Sequence, residues 1–216
     1  MPKWKIEPIW KDRECFIIGG GPSLKGFDWN ILKSELTIGC NDAFKLGIDV
    51  CKVCVFGDGR WFDRYSKELE LYKGMIFTNK GNLLNSRIPW LNTLDRKPKG
   101  FHTDALGWNG NTGFTAINLA LLFGIKTVYL LGFDMKMTGK EHNWHEGRLD
   151  KSGAEVYKRF LANSFIISKD WKEKFSNQTI INVTKDSDLE AFPKVDSDLF
   201  WKNRERKINE TVSISN

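Results

Sequence analysis

Short, continuously apolar runs that alternate with helical patterns constrain the fold of this chain more than any other feature. The runs are CFIIGG, LTIGCN, CKVCVFGD, GMIFTN, KTVYLLGFD and QTIINVT, and the helical patterns lie within residues 60–74, 111–124 and 150–177. Strands without polar alternation are buried on both faces, as in parallel sheets that helices cover. The sequence therefore predicts an α/β fold: a single Rossmann-like, doubly wound, mostly parallel sheet with helices on both faces.

The length of the chain favours one domain. A chain of 216 residues can bury one substantial core and is short for two, so we expect one α/β domain over residues 1–195. Residues 196–216 are charged and then serine-rich, which predicts a tail that frays or lies over the surface. Residues 79–111 form a turn-rich excursion that carries Trp90, Phe101 and Trp108, and a loop of this length and composition is typically functional.

Charge and cysteine content bear on partners and location. The formal net charge is +6 and the pI is about 9.1, which favours an anionic partner such as a nucleotide, a nucleic acid or an acidic glycan; a solvated basic surface explains the same charge. No run approaches the ~20 apolar residues of a membrane helix, and no secretory signal is recognisable at the N-terminus. The four cysteines lie in apolar runs, as reduced core thiols do. We therefore expect a cytoplasmic protein with no membrane contact.

Polar residues follow several predicted strands at the point where each strand ends. Gly19 follows the first strand, Asn41 the second and Asp58 the third, and Asp134 ends KTVYLLGFD. Open α/β sheets bind ligands in a crevice beyond the carboxyl ends of their strands. These residues are therefore predicted to converge on one binding site.

The first of these strand ends is a glycine turn, Gly19, Gly20 and Gly21, followed by Pro22 and Ser23. In one interpretation its amide N–H groups and the Ser23 hydroxyl bind a phosphate, while Pro22 keeps the turn rigid. In the other it is a tight strand-to-helix turn that binds nothing, because glycine suits any position of positive φ. The dinucleotide pattern G-x-G-x-x-G is not complete here.

The other strand-end side chains also carry two interpretations each. Asn41 can read a nucleobase edge or a ribose, or it can cap the next helix. Asp58 can bind a metal or a ribose hydroxyl, or cap the helix that begins near Arg60, and Asp134 has the same alternatives. His142 and His145 lie in a polar loop after Asp134. Histidine is the side chain best suited to acid–base catalysis near neutral pH, and metal binding and plain solvation are the alternatives.

Several motifs together resemble one group of enzymes. FIIGGGPSLKGFDW resembles the G-x-G-P-S-L-K-x-x-D opening of the bacterial sialyltransferases of glycosyltransferase family 42, and equally that of the wider 6-hydroxymethylpterin diphosphokinase-like proteins (domain of unknown function 115). GCND, CKVCVFGD and NTGFTAINLALLFGIKTVYLLGFDM are similar to later motifs of the group, and INVTKDSDLEAFPKV resembles the ending of its phage-borne members. The resemblance covers residues 15–194.

The resemblance implies a nucleotide site and its residues. In the sialyltransferases the glycine turn and the strand-end asparagine contact the CMP part of the donor. The positions that carry over are Gly19, Gly20, Gly21, Ser23 and Asn41, with Asp58 also lining the donor site and Asn111, Thr112 and Gly113 in place of the T-S-G element. The family's general base is a histidine, for which His145 is the nearest candidate and His142 the second. Departures are Lys136 in place of an expected tyrosine and a shortened lid before the histidine.

The function that the resemblance implies is transfer from a nucleotide-activated donor. We expect the domain over residues 1–195 to bind a nucleotide or nucleotide-sugar and to act as a glycosyltransferase on a CMP-sugar-like donor, with His145, His142 and Asp134 as catalytic residues. Lys136 or Arg148 would stabilise the leaving group. The alternatives are a Mg²⁺-dependent pyrophosphoryl or nucleotidyl transferase of the pterin-kinase type, with Asp58 and Asp134 as ligands, and a non-catalytic nucleotide-binding protein. A glycan or a modified nucleobase in nucleic acid would be the acceptor, and the sequence is compatible with an oligomer.

Overall fold

The computed structural model describes residues 4–145 and 153–214, and for residues 207–214 only the backbone. Its strands are β1 (Glu14–Ile18), β2 (Thr37–Cys40), β3 (Val53–Phe56), β4 (Met75–Thr78), β5 (Leu91–Thr93), β6 (Arg96–Lys97), β7 (Leu106–Gly107), β8 (Thr127–Leu131) and β9 (Thr179–Asn182). Its α-helices are α1 (Gly59–Leu71), α2 (Thr112–Leu122), α3 (Glu155–Lys174) and α4 (Ser197–Ile214). The six strands predicted from apolar runs are all present.

Seven of these strands form one parallel sheet. Their order is β5-β4-β3-β2-β1-β8-β9, and every pair of neighbours runs parallel. The chain thus builds outward from β1 to β5 and then returns to add β8 and β9 on the other side. The strand order reverses between β1 and β8, which is the switch point where doubly wound sheets bind ligands. The predicted α/β fold is confirmed.

Helices cover both faces of the sheet, because successive side chains of each strand point to opposite faces. On one face Ile17 and Val55 pack against the almost wholly buried helix α2 and against Ile167 of α3. On the other face Cys54 and Phe56 pack against helix α1. The central strands β1, β2, β3 and β8 are therefore buried along nearly their whole length, as the sequence pattern predicted.

The last segment of the chain forms a helix that lies over the sheet, which is the second of the two arrangements that its composition predicted. Residues 197–214 form helix α4, and the Trp201 ring stacks on Phe16 of β1 at 5.6 Å between centroids. The Arg204 guanidinium donates to Glu14 at 3.0 Å and to Glu35 at 2.8 Å. The rings of Phe200 and Trp201 thus anchor helix α4 against β1.

The excursion over residues 79–111 is also ordered. Strand β5 extends the main sheet, β6 and β7 form a small second sheet, and the Phe101 side chain is fully buried. These strands of two or three residues were not predicted, since such short elements leave no pattern in the sequence. The excursion carries Trp108 to the carboxyl end of the sheet.

The cysteines are the core thiols that the sequence predicts. All four are free and buried, and burial raises the pKa of Cys51 to about 11. They are therefore protonated at neutral pH. Over the stretches that the structure describes, no helix has the length and apolar character needed to cross a bilayer.

Candidate active site

A cavity of about 300 Å³ lies at the carboxyl ends of the central strands, beside the switch point between β1 and β8. The predicted site residues that line it are Gly19, Gly20, Gly21, Asn41, Asp58, Asn111, Thr112, Gly113, Asp134 and His142. Pro22, Ser23 and His145 lie outside its lining. The expected convergence of strand ends on one space is therefore found, and the volume suits a small-molecule ligand.

The glycine turn is packed tightly against the end of β8. The Gly19 N–H donates to Leu131 O at 2.7 Å and the Gly21 N–H to Gly132 O at 2.8 Å. A Cβ on either Gly19 or Gly21 would lie 2.6 Å from Gly132 O. Two of the three amides expected to meet a phosphate are thus used inside the protein. The glycines here allow a close backbone approach.

Ser23 and Asp134 are joined by two hydrogen bonds. The backbone N–H and the hydroxyl of Ser23 each donate to one carboxylate oxygen of Asp134, both at 2.8 Å. Burial raises the pKa of Asp134, and the bonds from Ser23 oppose that shift. The Asp134 carboxylate therefore holds the turn to the strand beside it, with Pro22 buried in the same turn. Contact of Ser23 with a nucleotide stays a prediction.

Asn41 begins the 3₁₀ turn after β2 in a strained conformation. Its φ is 50°, and Met135, which also lines the cavity, has a φ of 55°. Such left-handed backbone is uncommon outside glycine and concentrates at functional sites. Among the residues that the structure describes, the buried Asn41 Oδ1 atom has no hydrogen-bond partner, which costs free energy until a donor reaches it. Asn41 is the first residue of that turn, whose N-cap is Cys40.

Two helices begin at the cavity. Asp58 caps α1 by accepting from the Arg60 N–H at 2.9 Å, which confirms one of its two interpretations. Asn111 caps α2 by accepting from the Phe114 N–H at 3.3 Å.

The start of α2 is the more suitable anion site of the two. Among the described residues, the N–H groups of Thr112 and Gly113 have no protein acceptor, as expected for a first helical turn. The helix macrodipole places positive charge at the same point, and α2 is almost wholly buried, so little solvent screens it. An anionic group of a ligand would be stabilised here.

His142 lines the cavity together with Tyr157, a residue that no sequence motif marks. The His142 Nδ1 atom is 3.2 Å from the Tyr157 hydroxyl, and that hydroxyl donates to the His142 carbonyl at 3.3 Å. If the phenol proton goes to the carbonyl, Nδ1–H donates to the phenol oxygen. That tautomer places the lone pair of the ring on Nε2, the atom that accepts a proton in base catalysis.

His145, the nearest family-based candidate for the base, takes a different position. Its Nδ1 atom is 3.6 Å from the buried Asp42 carboxylate, which also accepts from the Trp61 indole at 2.6 Å and from Lys45. The preceding Trp144 is tied to the glycine turn, its indole N–H donating to Gly19 O at 3.0 Å. His145 thus lies outside the lining of the cavity, next to the Asp42 carboxylate.

The charges at the cavity are largely paired. The Lys136 ammonium is 3.2 Å from Asp186 and 3.1 Å from Asp188; burial opposes its charged form, but these two bonds prevail and raise its pKa. Arg148, the other predicted cation, lies outside the described residues. Within the described ranges, no three His, Cys, Asp or Glu side chains are grouped to hold a metal ion. Asp134, a candidate Mg²⁺ ligand, already accepts two bonds from Ser23.

The remaining wall of the cavity is apolar and aromatic. It is formed by Trp108 from the excursion and by Val156, Tyr157 and Phe160 from α3. The sequence pattern marks Val156 and Phe160 as apolar helix positions, but it does not say that this end of α3 faces a cavity. The one feature of the sequence that favours an aromatic surface is its large number of aromatic residues, with nine Trp and fifteen Phe.

Fold and cavity together define a class: doubly wound α/β proteins with a cavity at the switch point of the sheet, the place where this architecture binds ligands. Two solved structures are similar in fold. The sialyltransferase CstII from Campylobacter jejuni, determined in complex with a substrate analogue, cytidine 5′-monophosphate, has a TM-score of 0.54 and 15% identity over 86% of this chain and 85% of its own. The monofunctional α-2,3-sialyltransferase Cst-I from the same organism has a TM-score of 0.53 and 17% identity over 93% and 96%. Neither a protein-family model nor a curated protein matches the sequence.

Proposed function

We propose that this chain transfers a sugar from a CMP-activated donor to an acceptor hydroxyl group. The observation that carries the proposal is the meeting, in one cavity, of the α2 start, His142 and the Asn41 oxygen, which is buried without a partner in the described part of the chain. The α2 start supplies an anion site, Asn41 supplies a polar contact for a nucleoside, and His142 supplies a general base. The likeness in fold to a sialyltransferase determined with cytidine 5′-monophosphate supports the same ligand.

The donor is placed by its phosphate. The N–H groups of Thr112 and Gly113 bind the phosphate oxygens, where the macrodipole of α2 adds to the attraction. The Asn41 Oδ1 atom then accepts a hydrogen bond from a ribose hydroxyl or a base amino group, which removes the cost of its burial. The exposed part of the Asp58 carboxylate provides a second acceptor for a ribose hydroxyl.

The chemistry is a displacement at the anomeric carbon. The acceptor oxygen attacks that carbon, its proton passes to His142 Nε2, and the bond from the carbon to the phosphate oxygen breaks, its electron pair leaving with CMP. The Tyr157 hydroxyl orients the imidazole through Nδ1. The helix start stabilises the charge that develops on the leaving phosphate. Asp134 acts indirectly, by holding the glycine turn in place.

The proposal is tested first by ligand binding. A thermal-shift panel of CMP, CDP, UDP, GDP and ATP, each with and without Mg²⁺, should give a selective shift with CMP that does not need the metal. At 100 times its dissociation constant a ligand stabilises by about 2.7 kcal/mol. A shift that needs Mg²⁺ and a triphosphate would instead favour pyrophosphoryl or nucleotidyl transfer.

Turnover is tested with CMP-activated sugars by measuring CMP release in the presence and absence of acceptor glycans. The His142→Asn variant should lose at least about 100-fold in rate, the usual size of a general-base contribution, with little change in CMP affinity. His145→Asn is the matched comparison, and a larger loss there would move the base to His145. CMP binding without turnover of any donor would indicate a binding protein and contradict the proposal.

A further inference from the structure

Trp108 differs from every other tryptophan of the chain. Of the nine tryptophans, eight belong to or pack against one of the apolar clusters of the core: Trp4, Trp10, Trp29, Trp61, Trp90, Trp144, Trp171 and Trp201. Trp108 packs against none of them, although it is half-buried and lines the cavity. Its indole N–H has no protein acceptor among the described residues. This ring therefore contributes little to the core.

The position of the Trp108 ring is nevertheless fixed. Its backbone N–H donates to Lys97 O at 3.0 Å, next to the β6–β7 pair. The Arg96 guanidinium lies over one face of the ring at 4.0 Å from its centroid. A Cβ on Gly57 would lie 2.9 Å from the ring edge, so the ring reaches its place because residue 57 is glycine. A cation–π contact of this kind restrains the indole.

The surroundings of Trp108 indicate what it contacts. Trp108 precedes Asn111 and Thr112 by only a few residues, and the Thr112 hydroxyl approaches the same Gly57 position as the indole does. An aromatic surface thus stands next to an anion site inside one cavity. A nucleoside monophosphate combines these two properties, since it joins a planar ring to a phosphate through a short sugar.

We propose that Trp108 is the stacking wall for the nucleobase of the donor, and that Arg96 is a positioning residue that holds the indole from its other face. This inference rests on the proposed function, because it requires a nucleotide in the cavity. Every nucleobase can stack on tryptophan through its π-face, so stacking alone selects little between bases. The identity of the base is then read by hydrogen bonds, for which Asn41 is placed.

The inference is tested on the full chain by titration with CMP and with ribose 5-phosphate, which lacks the base. Trp108→Leu keeps an apolar side chain but removes the π-face, and should weaken CMP binding about 10-fold. That loss equals about 1.4 kcal/mol and lies within the range measured for base–aromatic stacking. Trp108→Phe should stay within about threefold of the wild type, because a ring remains. Ribose 5-phosphate should bind both variants as it binds the wild type.

Tryptophan fluorescence gives an independent readout. Stacking of a base on an indole quenches its emission, so saturating CMP should quench the wild type and the matched control Trp90→Phe. Trp90 belongs to the same excursion but packs near Phe62, at 6.1 Å between ring centroids. Trp108→Phe should bind CMP yet lose the quench.

The outcomes separate this inference from the proposed function. If the wild type binds CMP and neither the Trp108→Leu affinity nor the Trp108→Phe quench changes, the stacking role is wrong and the donor site remains. An equal loss of CMP and ribose 5-phosphate affinity would also overturn it, since Trp108 would then only shape the cavity. If the wild type binds no nucleotide, the proposed function fails and the stacking role with it.

Discussion

The glycine turn and the start of helix α2 face the same cavity but are built for different purposes. In the turn, Gly19 and Gly21 donate their N–H groups to the end of β8, and Ser23 is bonded to Asp134. At the start of α2, the Asn111 side chain accepts from the Phe114 N–H, while the N–H groups of Thr112 and Gly113 have no acceptor among the described residues. A glycine-rich segment thus need not offer all of its amides to a phosphate; here Gly19 and Gly21 form a joint between β1 and the end of β8.

The largest effect should come from a substitution that places a side-chain atom inside this joint. A Cβ on Gly21 would overlap the buried Asp134 carboxylate and lie 2.6 Å from Gly132 O, and neither group can move without breaking the turn. Gly21→Ala should therefore destabilise the protein by about 3 kcal/mol or more, measured by urea unfolding. In Gly20→Ala, the matched control, the new Cβ meets only the Asn143 side-chain amide at 3.1 Å. Equal stability of the two variants would refute this account of the turn.

Removing the carboxylate of the joint should have the next largest effect. Asp134→Ala leaves the Ser23 N–H and hydroxyl without their acceptor, which should cost about 1–3 kcal/mol of unfolding free energy. Ser23→Ala removes the hydroxyl bond but keeps the backbone one, and should cost less. A double-mutant cycle measures the coupling between the two side chains. Additive losses would show that the contact does not hold the turn.

A negative charge at the start of α2 should weaken CMP binding while leaving the fold intact. Asn111→Asp keeps the cap of α2 but brings a negative charge to the site proposed for phosphate, so CMP affinity should fall about 10-fold through like-charge repulsion. Asn111→Ser also keeps the cap and adds no charge, so calorimetry should give a smaller loss. If the Asp variant binds CMP as well as the Ser variant, the phosphate does not sit at α2.

The smallest effect is a pH dependence of the joint. Burial raises the pKa of Asp134, so the folded state holds its proton at pH values where the unfolded chain has lost it. The contribution of this carboxyl to stability is therefore fully present below its ordinary pKa near 3.8 and declines as pH rises through the folded value. The stability difference between wild type and Asp134→Asn should shrink over that window. A difference that grows with pH would show that the Ser23 bonds outweigh burial.

The sequence predicted the sheet well because its strands carry their burial in their composition. The runs around Ile17, Val55 and Leu130 have no polar alternation, and each became a strand buried on both faces. The residues after them converged as expected, since parallel strands end at one edge of a sheet.

The details of the site were not predictable in the same way. The Ser23–Asp134 contact joins residues 111 positions apart, and nothing in either local segment indicates it. The choice between His142 and His145 depends on how one short loop turns, and the role of Tyr157 on which end of α3 meets the cavity. These are properties of three-dimensional packing, which a local pattern does not record.

Helix α4 has a practical consequence for work with shortened forms of the protein. A boundary drawn at residue 195, where the charged segment begins, would uncover the aromatic rings of Phe16 and Tyr129. It would also strand the carboxylates of Glu14 and Glu35 without their guanidinium partner. A protein truncated there would expose an apolar patch on its surface and should aggregate during purification, even with its cavity intact.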